Sequence, residues 1–120
     1  MKGETRLVEK PTQRRNKVAK TIILCNLAAN VTEEQYKDYA TSEKGPLLDS
    51  LESVKKKYEL VKIGRSLSGE IPYKYVGIIH LTSHDEFNQK DAPSQKFQDF
   101  LAKWMPMVTD AHILYGEEIY

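Results

Sequence analysis

Residues 73–82 read Tyr-Lys-Tyr-Val-Gly-Ile-Ile-His-Leu-Thr. The stretch is short, rich in β-branched and aromatic residues, and bounded by Pro72 and Ser83, which marks a strand. Alternation puts Val76, Ile78 and His80 on one side and Tyr75, Gly77, Ile79 and Leu81 on the other. Both sides are mainly apolar. A strand in an antiparallel sheet with one wet face should alternate with polar residues instead. Both faces of this strand therefore require a cover.

Upstream, Lys55–Gly64 alternates Tyr58 and Leu60 against Val61 and Ile63 and reads as a partner strand. The Gly-, Ser- and Pro-containing segment 65–72 joins the two as a long hairpin loop. Earlier still, Lys20–Leu27 is a strand with Thr21, Ile23, Cys25 and Leu27 on one face and Ile22, Leu24 and Asn26 on the other. Between these strands, Thr32-Glu33-Glu34-Gln35 forms a capping box that opens a helix. Tyr36, Tyr39 and Ala40 share one face of it. Gly45-Pro46 is expected to break that helix, with a further turn or two through Leu47, Leu48 and Leu51. Downstream of residue 82, Ser83-His84-Asp85-Glu86 reads as a second capping box and Asp91-Ala92-Pro93 as an interruption. Ser94 caps the restart, and Phe97, Phe100, Leu101 and Trp104 make an apolar stripe that Pro106 ends. Ala111–Tyr115 is the last strand.

The order β-α-β-β-α-β is the ferredoxin-like split unit, an α+β fold. It predicts a four-stranded antiparallel sheet in the order 4-1-3-2 with both helices on one face. Two interrupted helices cover one side only. Strands one, three and four are apolar on both, and a bare apolar sheet would be a sticky patch. The economical cover for the second face is another copy of the same sheet in a two-fold dimer.

The 120 residues carry a formal net charge of +1, unevenly spread. Residues 1–20 hold seven basic and two acidic residues, a net +5, which leaves −4 for the rest. A flexible basic extension is expected over 1–19, with a weak anionic tether as its functional reading, and a single domain over 20–120. The lone Cys25 excludes an intrachain disulfide framework and a Cys-rich zinc site. No apolar run approaches the roughly 18 residues of a membrane span, and no signal-peptide core is present, so a soluble, cytoplasmic protein is expected. The chain has no P-loop, no G-x-G-x-x-G and no G-x-S-x-G. Residues 73–80 miss the RNP1 pattern, and residues 21–120 are net acidic, which argues against a nucleic-acid partner despite the shared topology.

The chain resembles the dimeric α/β-barrel superfamily, in which two ferredoxin-like sheets pack face to face. Within it the likeness is to EthD-type proteins and to RedY-like (HapK-like) proteins associated with pigment and antibiotic pathways. It spans residues 20–120 and rests on Val31-Thr32-Glu33-Glu34-Gln35-Tyr36, Gly45-Pro46-Leu47-Leu48, Tyr75-Val76-Gly77-Ile78-Ile79 and Phe97-Gln98-Asp99-Phe100. EthD-like chains often carry a histidine just before the Pro-Leu that ends the first helix. Here that place holds Gly45, preceded by Lys44, so no histidine is carried over to it. The resemblance implies a homodimer and allows cofactor-free work on an apolar aromatic or polyketide-like ligand.

The candidate catalytic residues are His80 and His112, two imidazoles on predicted strands among apolar neighbours, suited to general-base or donor roles. They fall toward opposite ends of neighbouring strands, too far apart to share a metal within one subunit. The blander reading of each is a satisfied core or rim histidine, and that of His84 an exposed residue of the capping turn. Candidate ligand-binding residues are Asn26, Tyr58, Tyr75, Ile78 and Leu114. Asn26 could orient a carbonyl or simply cap a strand end. The tyrosines suit either a flat-ligand pocket or plain packing. Cys25 and Trp104 read as core. No metal or cofactor is expected. A non-catalytic module whose sheet face serves only self-association remains the second reading, and a filled interface would favour it.

Overall fold

The computed structural model describes residues 19–120. The basic extension expected over 1–19 lies, apart from Ala19, outside the described residues. The elements are β1 (Ala19–Leu27), α1 (Glu33–Tyr39), α2 (Gly45–Asp49), β2 (Glu59–Lys62), β3 (Tyr75–Leu81), α3 (His84–Glu86), α4 (Gln95–Trp104) and β4 (Val108–Glu117). The sheet runs β2-β3-β1-β4 with every neighbouring pair antiparallel. This is the ferredoxin-like α+β arrangement that the order of elements predicts. Among the described residues no helix is long and apolar enough to cross a membrane.

Local chemistry explains most boundaries. Thr32 Oγ1 accepts from Gln35 N at 3.1 Å and Gln35 Oε1 accepts from Thr32 N at 2.9 Å, a complete capping box. At the second helical segment only half of the expected box forms. Ser83 Oγ accepts from Glu86 N at 2.9 Å, while the Glu86 carboxylate turns to Thr82 Oγ1 and to Lys90. Ser94 caps α4 as expected, accepting from Phe97 N at 3.2 Å.

Gly45-Pro46 does not break the first helix. Residues Ala40–Lys44 form a π-helical turn that hands the chain directly to α2. The Gly45 N–H bonds to the Ala40 carbonyl five residues back, and a Cβ on Gly45 would come within 2.9 Å of that oxygen. Glycine is what permits the close approach, and Pro46 then sits at the start of α2, where a missing N–H costs little. A second π-helical turn, Phe87–Asp91, follows α3. The second strand is shorter than its alternation suggests. The Tyr58 N–H donates to Asp49 Oδ1 at 2.7 Å, Val54 makes an isolated bridge to Leu81, and regular pairing begins only at Glu59. The last strand is longer than expected and carries a bulge opposite Leu24–Asn26, with Asp110 at φ 56°.

The two faces of the sheet differ in what covers them. Ala19, Thr21, Ile23 and Cys25 of β1 and Tyr75, Ile79 and Leu81 of β3 are buried on the helix side. Tyr36, Tyr39, Leu48, Phe87, Phe100 and Trp104 complete that core from the helices. The register places Ile22 beside Ile78 and Leu114, and Leu24 beside Val76 and His112, on the opposite face. Val61, 48% exposed, and Leu114, 46% exposed, belong to that second face. Within one protomer it is an apolar surface without a helical cover.

Candidate functional site

The capping box fixes the start of α1, and one turn later Tyr36 points into the interior with Tyr39 beside it, ring centroids 6.4 Å apart. Tyr75 of β3 meets the Tyr36 ring edge-on at 5.5 Å. Tyr36 and Tyr75, with Tyr58, Leu60, Ala40 and Pro46, wall a cavity of about 710 Å³ between the first helical layer and the β2 side of the sheet. Its rim is charged. Glu33 pairs with Lys62 at 2.7 Å, and Lys37 and Lys57 stand nearby.

Behind the wall lies Lys44, only 1% exposed. The π-helical turn adds one residue to the helix, and its last residue, Lys44, points inward. Lys44 Nζ donates to the Tyr36 hydroxyl at 2.7 Å and sits 5.0 Å from the Tyr36 and Tyr58 ring centroids and 5.2 Å from that of Trp104. The Trp104 indole N–H donates to the same Tyr36 oxygen at 3.0 Å. Three aromatic faces give a cation partial compensation. No carboxylate among the described residues lies within ion-pair distance of Lys44. Burial therefore pulls the ammonium down to about 8. The same burial pushes the Cys25 thiol up, an effect that Lys44 and the Tyr36 hydroxyl oppose. It also raises Tyr36 and Tyr58, and carries Tyr39 to about 12. The Tyr58 hydroxyl is buried with no hydrogen-bond partner. It rests over Gly77, where a Cβ would come within 2.5 Å of it, so the absence of a side chain there admits the ring.

The sign of the Lys44 effect on stability follows from these values. In the folded chain the amine releases its proton near 8, whereas an unfolded lysine holds it to about 10.5. Between those values the unfolded chain binds more protons, so the stability Lys44 allows is complete above about 10.5 and is lost as pH falls through about 8. Lys44→Met should be more stable than the parent near pH 7, by about 2–3 kcal/mol, and the gap should close as pH rises toward about 10. Urea midpoints of both proteins across that range check this; a gap independent of pH would contradict it.

The residues singled out from the sequence are divided by this geometry. Tyr58 and Tyr75 lie on the cavity wall. Ile78, His80, His112 and Leu114 lie on the other face of the sheet. Strand register separates the two histidines: His80 pairs with Lys20, and His112 with Leu24, four residues on. His80 is 5% exposed, its Nε2 is 3.3 Å from Glu59 Oε1, and its Nδ1 has no partner. His112 is exposed and meets the Tyr73 ring edge-on at 5.5 Å. Asn26 is a strand-end latch. Its Nδ2 donates to the Pro72 carbonyl at 2.9 Å and to Asp110 Oδ2 at 3.3 Å, and its Oδ1 accepts from Lys74 N at 2.9 Å. His84 is partly buried, with Nε2 2.9 Å from the Gly116 carbonyl and its ring 5.0 Å from that of Tyr115. Sequence reasoning did not select Lys44 or assign Tyr36 to a pocket. The one available signal is the lysine's place beside the position where EthD-like chains carry a histidine. Among the described residues no group of three or more His, Cys, Asp or Glu could hold a metal ion.

A family model described as "REDY-like protein HapK" matches residues 19–119. The chain belongs to the REDY-like HapK family. HapK from Hahella chejuensis is similar in structure, with a TM-score of 0.64 at 19% identity over 86% of this chain and 92% of that one. A dimeric ferredoxin-like protein of unknown function from Thermobifida fusca matches at a TM-score of 0.65 and 18% identity, over 85% and 92% of the two chains. The hydroxynitrile lyase of Passiflora edulis matches at 0.72 and 12% identity, over 85% and 94%. At these identities the likeness to solved structures establishes a shared ferredoxin-like fold. No curated protein matches the chain in sequence.

Proposed function

We propose that this REDY-like protein is a homodimer that binds a small apolar ligand, aromatic or polyketide-like, and serves as a cofactor-independent enzyme or accessory factor. The observation that carries the reading is the tyrosine-walled cavity of about 710 Å³, a volume suited to a flat organic molecule. A module built only to self-associate has no use for such a space. A lyase with the same fold supports the idea that this scaffold can host chemistry on small molecules, although fold alone assigns none. The dimer is inferred from the uncovered apolar sheet face, and the dimeric Thermobifida fusca neighbour supports it. Ile78, His80, His112 and Leu114 would then face the partner sheet, where the histidines could meet a ligand held between subunits.

Two measurements test the proposal. A neutral solvatochromic naphthalene dye should bind the wild type, and Ala40→Phe, which fills the cavity wall, should weaken binding by about tenfold or more. Absence of dye binding, or equal binding by the variant, counts against the cavity. Sedimentation at micromolar concentration should show a dimer that Leu114→Asp converts to a monomer, since a charge buried in an apolar interface is strongly disfavoured. A monomeric wild type removes the dimer.

A further inference from the structure

We propose that the ligand of this cavity is an apolar acid, a flat ring system bearing one anionic oxygen group, and that Lys44 supplies the counter-charge for it from behind the Tyr36–Tyr58 wall. The inference rests on the cavity reading above and specifies the chemistry of its occupant.

Three observations converge on it. First, Lys44 is a fully buried ammonium facing aromatic rings and one hydroxyl, with no carboxylate in ion-pair range among the described residues. A buried cation without a counter-ion is costly, and the deficit is greatest when the cavity is empty. Second, the rim has three lysines, Lys37, Lys57 and Lys62, against two carboxylates. Both carboxylates are engaged: Glu33 holds Lys62, and Asp49 accepts the Tyr58 N–H. A hydrogen bond from an amide leaves the Asp49 charge in place, so the rim keeps a net charge of +1. Third, the buried Tyr58 hydroxyl has a hydrogen-bond donor without an acceptor. An anionic oxygen at the inner end would lie one side-chain layer from that donor and from the Lys44 charge. Lys44 is a positioning residue here. It acts through its field, not by contact with reacting atoms.

The experiment compares 2-naphthoate with its neutral isostere 2-naphthamide by titration calorimetry, on the full chain and on Lys44→Met. The expected result is a preference for the acid of about tenfold in the wild type that falls to about twofold or less in the variant. A second readout needs no variant. Lys44 is surrounded by the Cys25 thiol from β1, the Tyr36 hydroxyl from α1, Tyr58 from the segment before β2 and the Trp104 indole from α4, and it titrates near 8. An anion beside it raises its proton affinity. Naphthoate binding near pH 8 should therefore take up as much as about half a proton, visible as a dependence of the heat on buffer ionisation enthalpy. Equal affinity for acid and amide with no proton uptake overturns the inference and leaves the cavity reading standing. Failure of both compounds to bind overturns both. If Lys44→Met does not fold, proton uptake by the wild type decides.

Discussion

Trp104→Ala should cost about 3–5 kcal/mol of stability, the largest loss from any single truncation in this chain. Trp104 is fully buried, stacked on Phe100 at 6.0 Å, and is the residue on which α4 meets α1. Truncation empties the centre of the helix-side core. It also removes the indole donor from Tyr36 and one of the three rings around Lys44. For a domain whose whole stability is about 5–15 kcal/mol, that is a large fraction. Trp104 is the only tryptophan, so circular dichroism rather than intrinsic fluorescence must follow the transition. Trp104→Phe, which keeps most of the volume and loses the hydrogen bond, should cost about 1–2 kcal/mol. A loss below about 1 kcal/mol for the alanine variant would show that this ring is not the centre of the core.

The second large effect belongs to Asp91, buried at the end of the Phe87–Asp91 turn. Its Oδ1 accepts from Glu52 N at 3.1 Å, and its Oδ2 accepts from Ser53 N at 2.9 Å and from the Ser53 hydroxyl. The Ser53 carbonyl in turn accepts from Thr82 N at 2.8 Å, so this carboxylate fastens the chain after α2 to the end of β3. Asp91→Ala leaves these donors unanswered in a dry site and should cost about 2–5 kcal/mol. Asp91→Asn should cost nearly as much, because its amide nitrogen would oppose a donor rather than accept from it. Hydrogen exchange at the Glu52 and Ser53 amides should accelerate in both variants. An unchanged urea midpoint for Asp91→Ala would mean that the turn holds without its acceptor.

The fold was largely legible because its signals are local. The Thr32 box, the Ser94 cap and the alternation in Lys20–Leu27 and 73–82 are short-range patterns, and the order of elements leaves few topologies. The site was less legible for a specific reason. β1 and β3 are apolar on both faces, so alternation separates Tyr75 from His80 without telling which of them lies beneath the helices. His80 and His112 attracted attention as functional side chains on strands, yet they share the face away from the cavity. Asn26 looked like a stray polar group on an apolar strand because its partners, Pro72 and Lys74, are distant in sequence. Lys44 was invisible for a third reason. A lysine late in a helix reads as a solvated end, and only the extra residue of the π-helical turn sends it inward.

That extra residue occurs twice. Each half of the fold inserts one π-helical turn after its first helical segment, and each insertion ends in a buried ionisable side chain, Lys44 in one half and Asp91 in the other. A single-residue deletion inside either turn would restore ordinary helical phase and rotate the terminal charge by about 100° toward water. Two phase slips thus decide where charge sits inside this protein. Shortening the first would strip the cavity of its hidden cation, and shortening the second would unfasten the chain behind β3.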